Sequence, residues 1–213
     1  MDDAGSRIAE RARELAGAIE ARDLQAVRQL CTAEHWERSA EAEYGELLLH
    51  VERVELLGVL GRRDLMRLET PGGRYERSVF EHLWHDGAPP LVDDQRQFTV
   101  INRAEVEAAG DPARLTRLAT KLDAQDAAVR YAEALVRHDE AAAAAMFEPS
   151  FLRQASAELH QRVGVVSRAE LIGSVGPRTL VRIVHDHEQT IEYLWRRTAD
   201  GLRIAGARVF ERD

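Results

Sequence analysis

The chain has 213 residues, 45% of them apolar, with 37 acidic against 29 basic side chains and a net charge of -8. That length fits one large domain or two of roughly 100 residues each, and the scattered acidic charge, with no basic stripe, argues against nucleic acid or an anionic membrane as partner. The single cysteine, Cys31, excludes an internal disulfide, and the start MDDAGSRIAE lacks the basic and then apolar character of a signal peptide, so a cytoplasmic protein is expected.

From Ala4 to Ala21, the residues Ile8, Ala12, Leu15, Ala16 and Ile19 share one helical face; Arg22-Asp23 interrupts it, and Leu24, Val27, Leu30 and Cys31 continue a second, short helix. Thr32 to Ser39 reads as a turn region carrying His35 and Trp36. Tyr44, Leu47, Leu48, Val51 and Val54 keep a helical period that Gly58 and Gly61 end. Asp64 to Glu69 is strand-like, Pro71-Gly72-Gly73 suits a tight hairpin, and Ser78 to Trp84 is a long strand. A further strand runs from Leu91 to about Ile101, interrupted by the polar run DDQRQ as at an edge or a bulge.

Asn102 to Lys121 reads as a packed helical joint, with Asp111-Pro112 as a cap and first turn. Beyond it the scheme returns. Val129, Ala132, Leu135 and Val136 mark a helix, Arg137-His138-Asp139 a break, and Ala141 to Phe147 a second short helix. Ser167-Arg168-Ala169-Glu170 has the form of a capping box that starts a third helix, ended by Gly173, Gly176 and Pro177. Thr179 to Val184 and Gln189 to Arg196 form a hairpin about His185-Asp186, and Leu202 to Phe210 is the final strand.

The clearest internal likeness is between SVFEHLW at 78–84 and QTIEYLW at 189–195, each followed by a polar turn containing glycine. It predicts two tandem repeats, 1–101 and 123–213, joined by a helical connector at 102–122. In the first copy Phe80, His82 and Trp84 share one strand face and Val79, Glu81 and Leu83 the other; in the second, Ile191, Tyr193 and Trp195 lie opposite Thr190, Glu192 and Leu194. Large apolar groups on both faces require cover on both sides, which helices and the other repeat's sheet would provide.

A helix pair, a third helix and a strand meander ending in YLWRRTADGLRIAGARVF (193–210) resembles the nuclear transport factor 2-like superfamily, which includes SnoaL-like polyketide cyclases and ketosteroid isomerases. The resemblance covers most of the chain and is closest at that terminal hairpin. It implies an α+β architecture of two tandem abbreviated nuclear transport factor 2-like rolls, helices packed on curved antiparallel sheet, forming an intramolecular pseudo-dimer. It further implies an aromatic pocket for a flat apolar ligand, lined by Trp36, Trp84, Tyr193 and Trp195; at strand period the same aromatics also suit plain core. The family's tyrosine-and-two-acids pattern has no residue-by-residue match, and none is carried over.

Glu81 and Glu192 hold equivalent mid-strand places. Enclosed in a pocket, either would gain proton affinity and serve as a general acid or base, with His82 beside it; paired with Arg67 or Arg182 on the neighbouring strand, each would be structural. His82, His85 and Asp86, and His185, Asp186 and His187, are residue types that bind metals or move protons, but their strand parity and turn position favour satisfied core or solvated turn. No zinc spacing exists, and neither metal nor cofactor is implied. Cys31 aligns with Phe147 and reads as packing. The function expected is a non-catalytic tandem module binding a small apolar ligand or a protein, as a monomer with an internal twofold or as a homodimer. The alternative is a SnoaL- or isomerase-like enzyme with one active half, and a third reading is an immunity-type neutraliser of a partner protein.

Overall fold

A computed structural model describes residues 3–71 and 78–212, and it is α+β. The chain divides into two units, Met1–Gln97 with Phe210–Asp213, and Phe98–Val209. Strands follow one another in the ladder in chain order, antiparallel wherever the register is described. Among the described residues no helix is long and apolar enough to cross a membrane.

In the first unit, α1 (Asp3–Glu20) turns at Arg22, held at a positive φ of 57°, into α2 (Leu24–Gln29), whose first turn Asp23 caps. A three-residue α3 (Ala33–His35), capped by Thr32, runs into a π-helical turn at Trp36–Ala40 and then α4 (Glu41–Leu47). The strands are β1 (Arg53–Leu60), β2 (Arg63–Glu69), β3 (Ser78–His85) and β4 (Leu91–Thr99). Ile8, Ala12, Leu15 and Ile19 on α1 are buried together with Trp36, Tyr44, Phe80 and Trp84 in one core. Each such side chain taken from water contributes about 1.5–3 kcal/mol.

In the second unit α5 (Arg103–Ala108) precedes α6 (Pro112–Val136), which is unbroken, so the expected connector and the first helix of the second repeat are one element. Its inner face is alanine-rich (Ala124, Ala127, Ala128, Ala132), which lets the helix lie close to the sheet it covers. His138, at φ 56°, makes the same break as Arg22, and Asp139 caps α7 (Glu140–Ala144) as Asp23 caps α2. Then come α8 (Pro149–Val163), β5 (Arg168–Val175), β6 (Arg178–Val184), β7 (Glu188–Thr198) and β8 (Gly201–Phe210).

Two expectations are corrected. The helical period of Tyr44 to Val54 stops at Leu47, and Arg53–Leu60 is β1; likewise Ser167 to Glu170 opens no helix, because Arg168–Val175 is β5. Both segments carry glycines that would weaken a helix, and in a strand those glycines have a use. The register slips by one residue between Leu56 and Gly58 and again between Leu171 and Gly173, leaving Leu57 and Ile172 as buried bulged residues. A Cβ on Gly58 would lie 2.8 Å from the Glu211 carbonyl oxygen, and one on Gly173 2.7 Å from the Phe98 Cβ. The last helix of the second unit is α8. Gly72 and Gly73 of the expected hairpin lie outside the described residues.

In each unit a residue distant in sequence pairs with the strand that carries the bulge. In the first, Val59 bridges Glu211 with bonds of 2.8 and 3.0 Å; in the second, Thr99 pairs with Ser174.

Candidate functional site

The expected acid–base residues occupy matched, neutralised positions. On β3, Glu81 is 3% exposed and hydrogen-bonds the Arg63 guanidinium from β2, which itself lies 5.1 Å from the Phe210 ring centre. On β7, Glu192 is 5% exposed and hydrogen-bonds Arg178, which lies 5.0 Å from the Phe98 ring centre. The expectation of an arginine on the neighbouring strand was right in kind and wrong in residue, since Arg182 pairs with Glu188 at 3.3 Å instead. A cross-strand pair on a sheet face needs register, and Arg63 opposite Leu83 and Arg178 opposite Leu194 place both guanidinia diagonally over the glutamates. Each carboxylate is thereby engaged by a guanidinium within the sheet.

Between α6, α8 and the sheet of the second unit lies a cavity of about 180 Å³. Tyr131 on α6, Phe147 after α7, Phe151, Ala155 and Leu159 on α8, Ile191 and Tyr193 on β7, and Ala207 and Val209 on β8 form its walls, with the Gln154 amide alongside. The aromatic rings meet edge to face, Tyr131 with Tyr193 at 5.0 Å and with Phe147 at 5.7 Å between centres. The Tyr193 hydroxyl donates to that of Tyr131 at 3.4 Å, a long bond, so the two polar tips sit together in the wall. The described lining contains no acid, histidine, lysine or arginine.

The same place in the first unit holds different side chains. Cys31 bridges Val92 as Phe147 bridges Ile204, and His35 follows Cys31 by the interval at which Phe151 follows Phe147. There Asp64, fully buried, accepts hydrogen bonds from the His82 Nδ1 at 2.9 Å and the Trp84 Nε1 at 2.5 Å. Tyr44 stacks on His82 with ring centres 6.5 Å apart. Both ring nitrogens of His35, the Tyr44 hydroxyl and the His82 Nε2 bond to no other described residue. Burial lowers the proton affinity of His35, helped by Arg38 and His82, and raises that of Tyr44; burial also pushes the Cys31 thiol up to about 12. Cys31 is therefore inert, as its packing role implies.

Of the four expected pocket aromatics, Tyr193 alone lines the cavity. Trp36 lies in the π-helical turn, buried in the first unit's core; Trp84 is tied to Asp64, and Trp195 donates to the Thr179 hydroxyl at 2.8 Å. His82 is buried, whereas His85 is exposed at the strand end. His185 and His187 contact each other edge to face in a partly exposed turn, and no group of metal-ligating side chains exists among the described residues. Tyr131 and the α8 wall were missed; Phe151, Ala155 and Leu159 at fourfold spacing were the signal for that helix face.

No protein-family model matches the chain, and no curated protein matches it either.

Proposed function

We propose that the chain is a fused pair of abbreviated nuclear transport factor 2-like rolls whose second roll is a non-catalytic binding module for a small, flat, apolar molecule of one or two rings. The cavity of about 180 Å³ carries this reading. A volume of roughly 150 Å³ accommodates a benzene-sized guest, and the paired tyrosine hydroxyls offer one polar anchor to orient it. The duplication is supported by recurrent details in the two units: the burial pattern of β1 and β5 is identical, and both place a bulge, an arginine-paired glutamate and a capping aspartate at matching sites.

Isothermal titration of the full chain with indole tests the binding reading. Saturable binding is expected, abolished by Ala155→Trp, which fills the cavity, and unaffected by Glu192→Gln. Equal affinity in the Ala155→Trp variant places the guest elsewhere and ends the proposal. The acid–base alternative retains one specific support, the Asp64–His82 pair, in which the carboxylate fixes the imidazole by Nδ1 and leaves Nε2 unengaged by other described residues. It ranks second because the cavity lies in the other unit and both candidate glutamates are held by arginine.

A further inference from the structure

Outside the cavity, the second unit carries an open groove of about 500 Å³ between α6 and β5, walled by Val100, Val129, Val136 and Leu171, with Glu133, Arg137 and Glu170 at its margin. Three of these valines are 40–46% exposed, an uncommon concentration of apolar surface. β5 pairs with β6 along its whole length, from Arg168 opposite Val184 to Val175 opposite Arg178. On its other side it meets Thr99 only at Ser174. Over 168–172, the outer edge of β5 therefore pairs with no described strand, directly beside the apolar groove.

The first unit treats the same place differently. Its groove between α1 and β1 is walled by Arg13, Arg53, Glu55 and Arg212, with Arg212 3.2 Å from Glu55 and Arg53 3.8 Å from Glu69. Charged side chains of this kind protect a strand edge from pairing with another chain. Charged side chains stand at both places, Glu133, Arg137 and Glu170 beside β5, but of the two grooves the one at β5 presents the strongly exposed valines.

We infer that the β5 edge and its valine groove form a twofold homodimer interface, in which β5 of one copy pairs antiparallel with β5 of a second copy, centred on Ala169. The edge sequence is its own complement. With Ala169 on the axis, Arg168 of each copy stands opposite Glu170 of the other, two identical cross-strand ion pairs in place of the 2.7 Å contact that these residues make within one chain. An apolar foreign strand would leave both charges facing apolar groups; a second copy satisfies them and brings the valines of α6 together over the joint. The net charge of -8 opposes association of two copies, but at physiological salt it acts over only about 8 Å.

Sedimentation velocity of the full chain from low to high micromolar concentration tests this. The expected mass rises to twice 23.9 kDa. Val129→Arg with Val136→Glu, which installs the first unit's Arg13 and Glu20 at the same helical places, should give only monomer with unchanged far-ultraviolet dichroism and thermal transition. Arg168→Glu should raise the dimer dissociation constant by roughly tenfold, because it sets Glu opposite Glu twice. Adding Glu170→Arg to that variant should recover most of the loss. A wild-type chain that stays monomeric, including one that pairs with some other protein through this edge, overturns the inference. So does a dimer that survives the valine changes, or a double reversal that restores nothing.

Discussion

At the second position of β2 the first unit carries Asp64, and at the second position of β6 the other unit carries Thr179. Each receives the indole N–H of a tryptophan, Trp84 or Trp195, yet Asp64 also holds His82, where the other unit has Tyr193 reaching for Tyr131. The surrounding frame is alike and the interiors have diverged, the first towards a polar and aromatic filling, the second towards a wall around empty volume. The difference teaches that register and caps set the frame, while a handful of inward side chains decide whether it encloses space.

The largest expected asymmetry lies at that pair. Asp64→Ala strands the His82 and Trp84 donors in a dry core and should cost about 3–5 kcal/mol, whereas Thr179→Val removes one neutral hydrogen bond and should cost about 1 kcal/mol. Denaturant unfolding followed by tryptophan fluorescence measures both, and equal losses would break the comparison. Next, Gly58→Ala and Gly173→Ala probe the bulges. Both would-be methyl groups meet fixed atoms, but Gly58 also has φ 150°, so its variant should lose about 3 kcal/mol; Gly173, with no positive φ, should lose about 2 kcal/mol. A reversed order would show that the second unit is the less able to adjust.

The arginine-held glutamates should behave alike. Glu81→Gln and Glu192→Gln are each expected to cost about 1.5–3 kcal/mol in the same assay, and neither should alter indole titration. A selective loss of ligand binding on one change would revive the acid–base reading for that unit. The smallest effect concerns His35. Its proton affinity is depressed by burial below the ordinary 6.5, with the charges of Arg38, His82, Asp93 and Asp94 acting on it as well. The unfolded chain therefore takes up the proton first, and the stability contributed by the neutral ring is present above pH 6.5 and is lost as pH falls below it. His35→Phe, matching Phe151 of the second unit, should flatten the slope of stability between pH 7 and pH 5.

The strands around residues 78–84 and 189–195 were legible because a period of two with aromatic and branched residues has few other readings. β1 and β5 were not. VELLGVL and ELIGSV offer apolar residues at spacings that suit either period, and a bulge breaks strict alternation where it would have decided the matter. The Glu81 and Glu192 pairing was foreseen in kind from burial alone, but the choice of Arg63 over Arg67 depends on diagonal register, which one strand's sequence does not contain. The cavity was invisible for a similar reason: Ala155 and Ala207 are among its lining, and small residues carry no local signal of what they leave open.

The first unit is not contiguous in the chain: Phe210 and Glu211, which seat on Gly58 and pair with Val59, are synthesised after the whole second unit. A nascent polypeptide with its opening 97 residues free of the ribosome still lacks the segment that bridges Val59. Completion of the amino-terminal half therefore waits on translation of the other, and any truncation before residue 210 should injure the part of the molecule farthest from the cut in sequence.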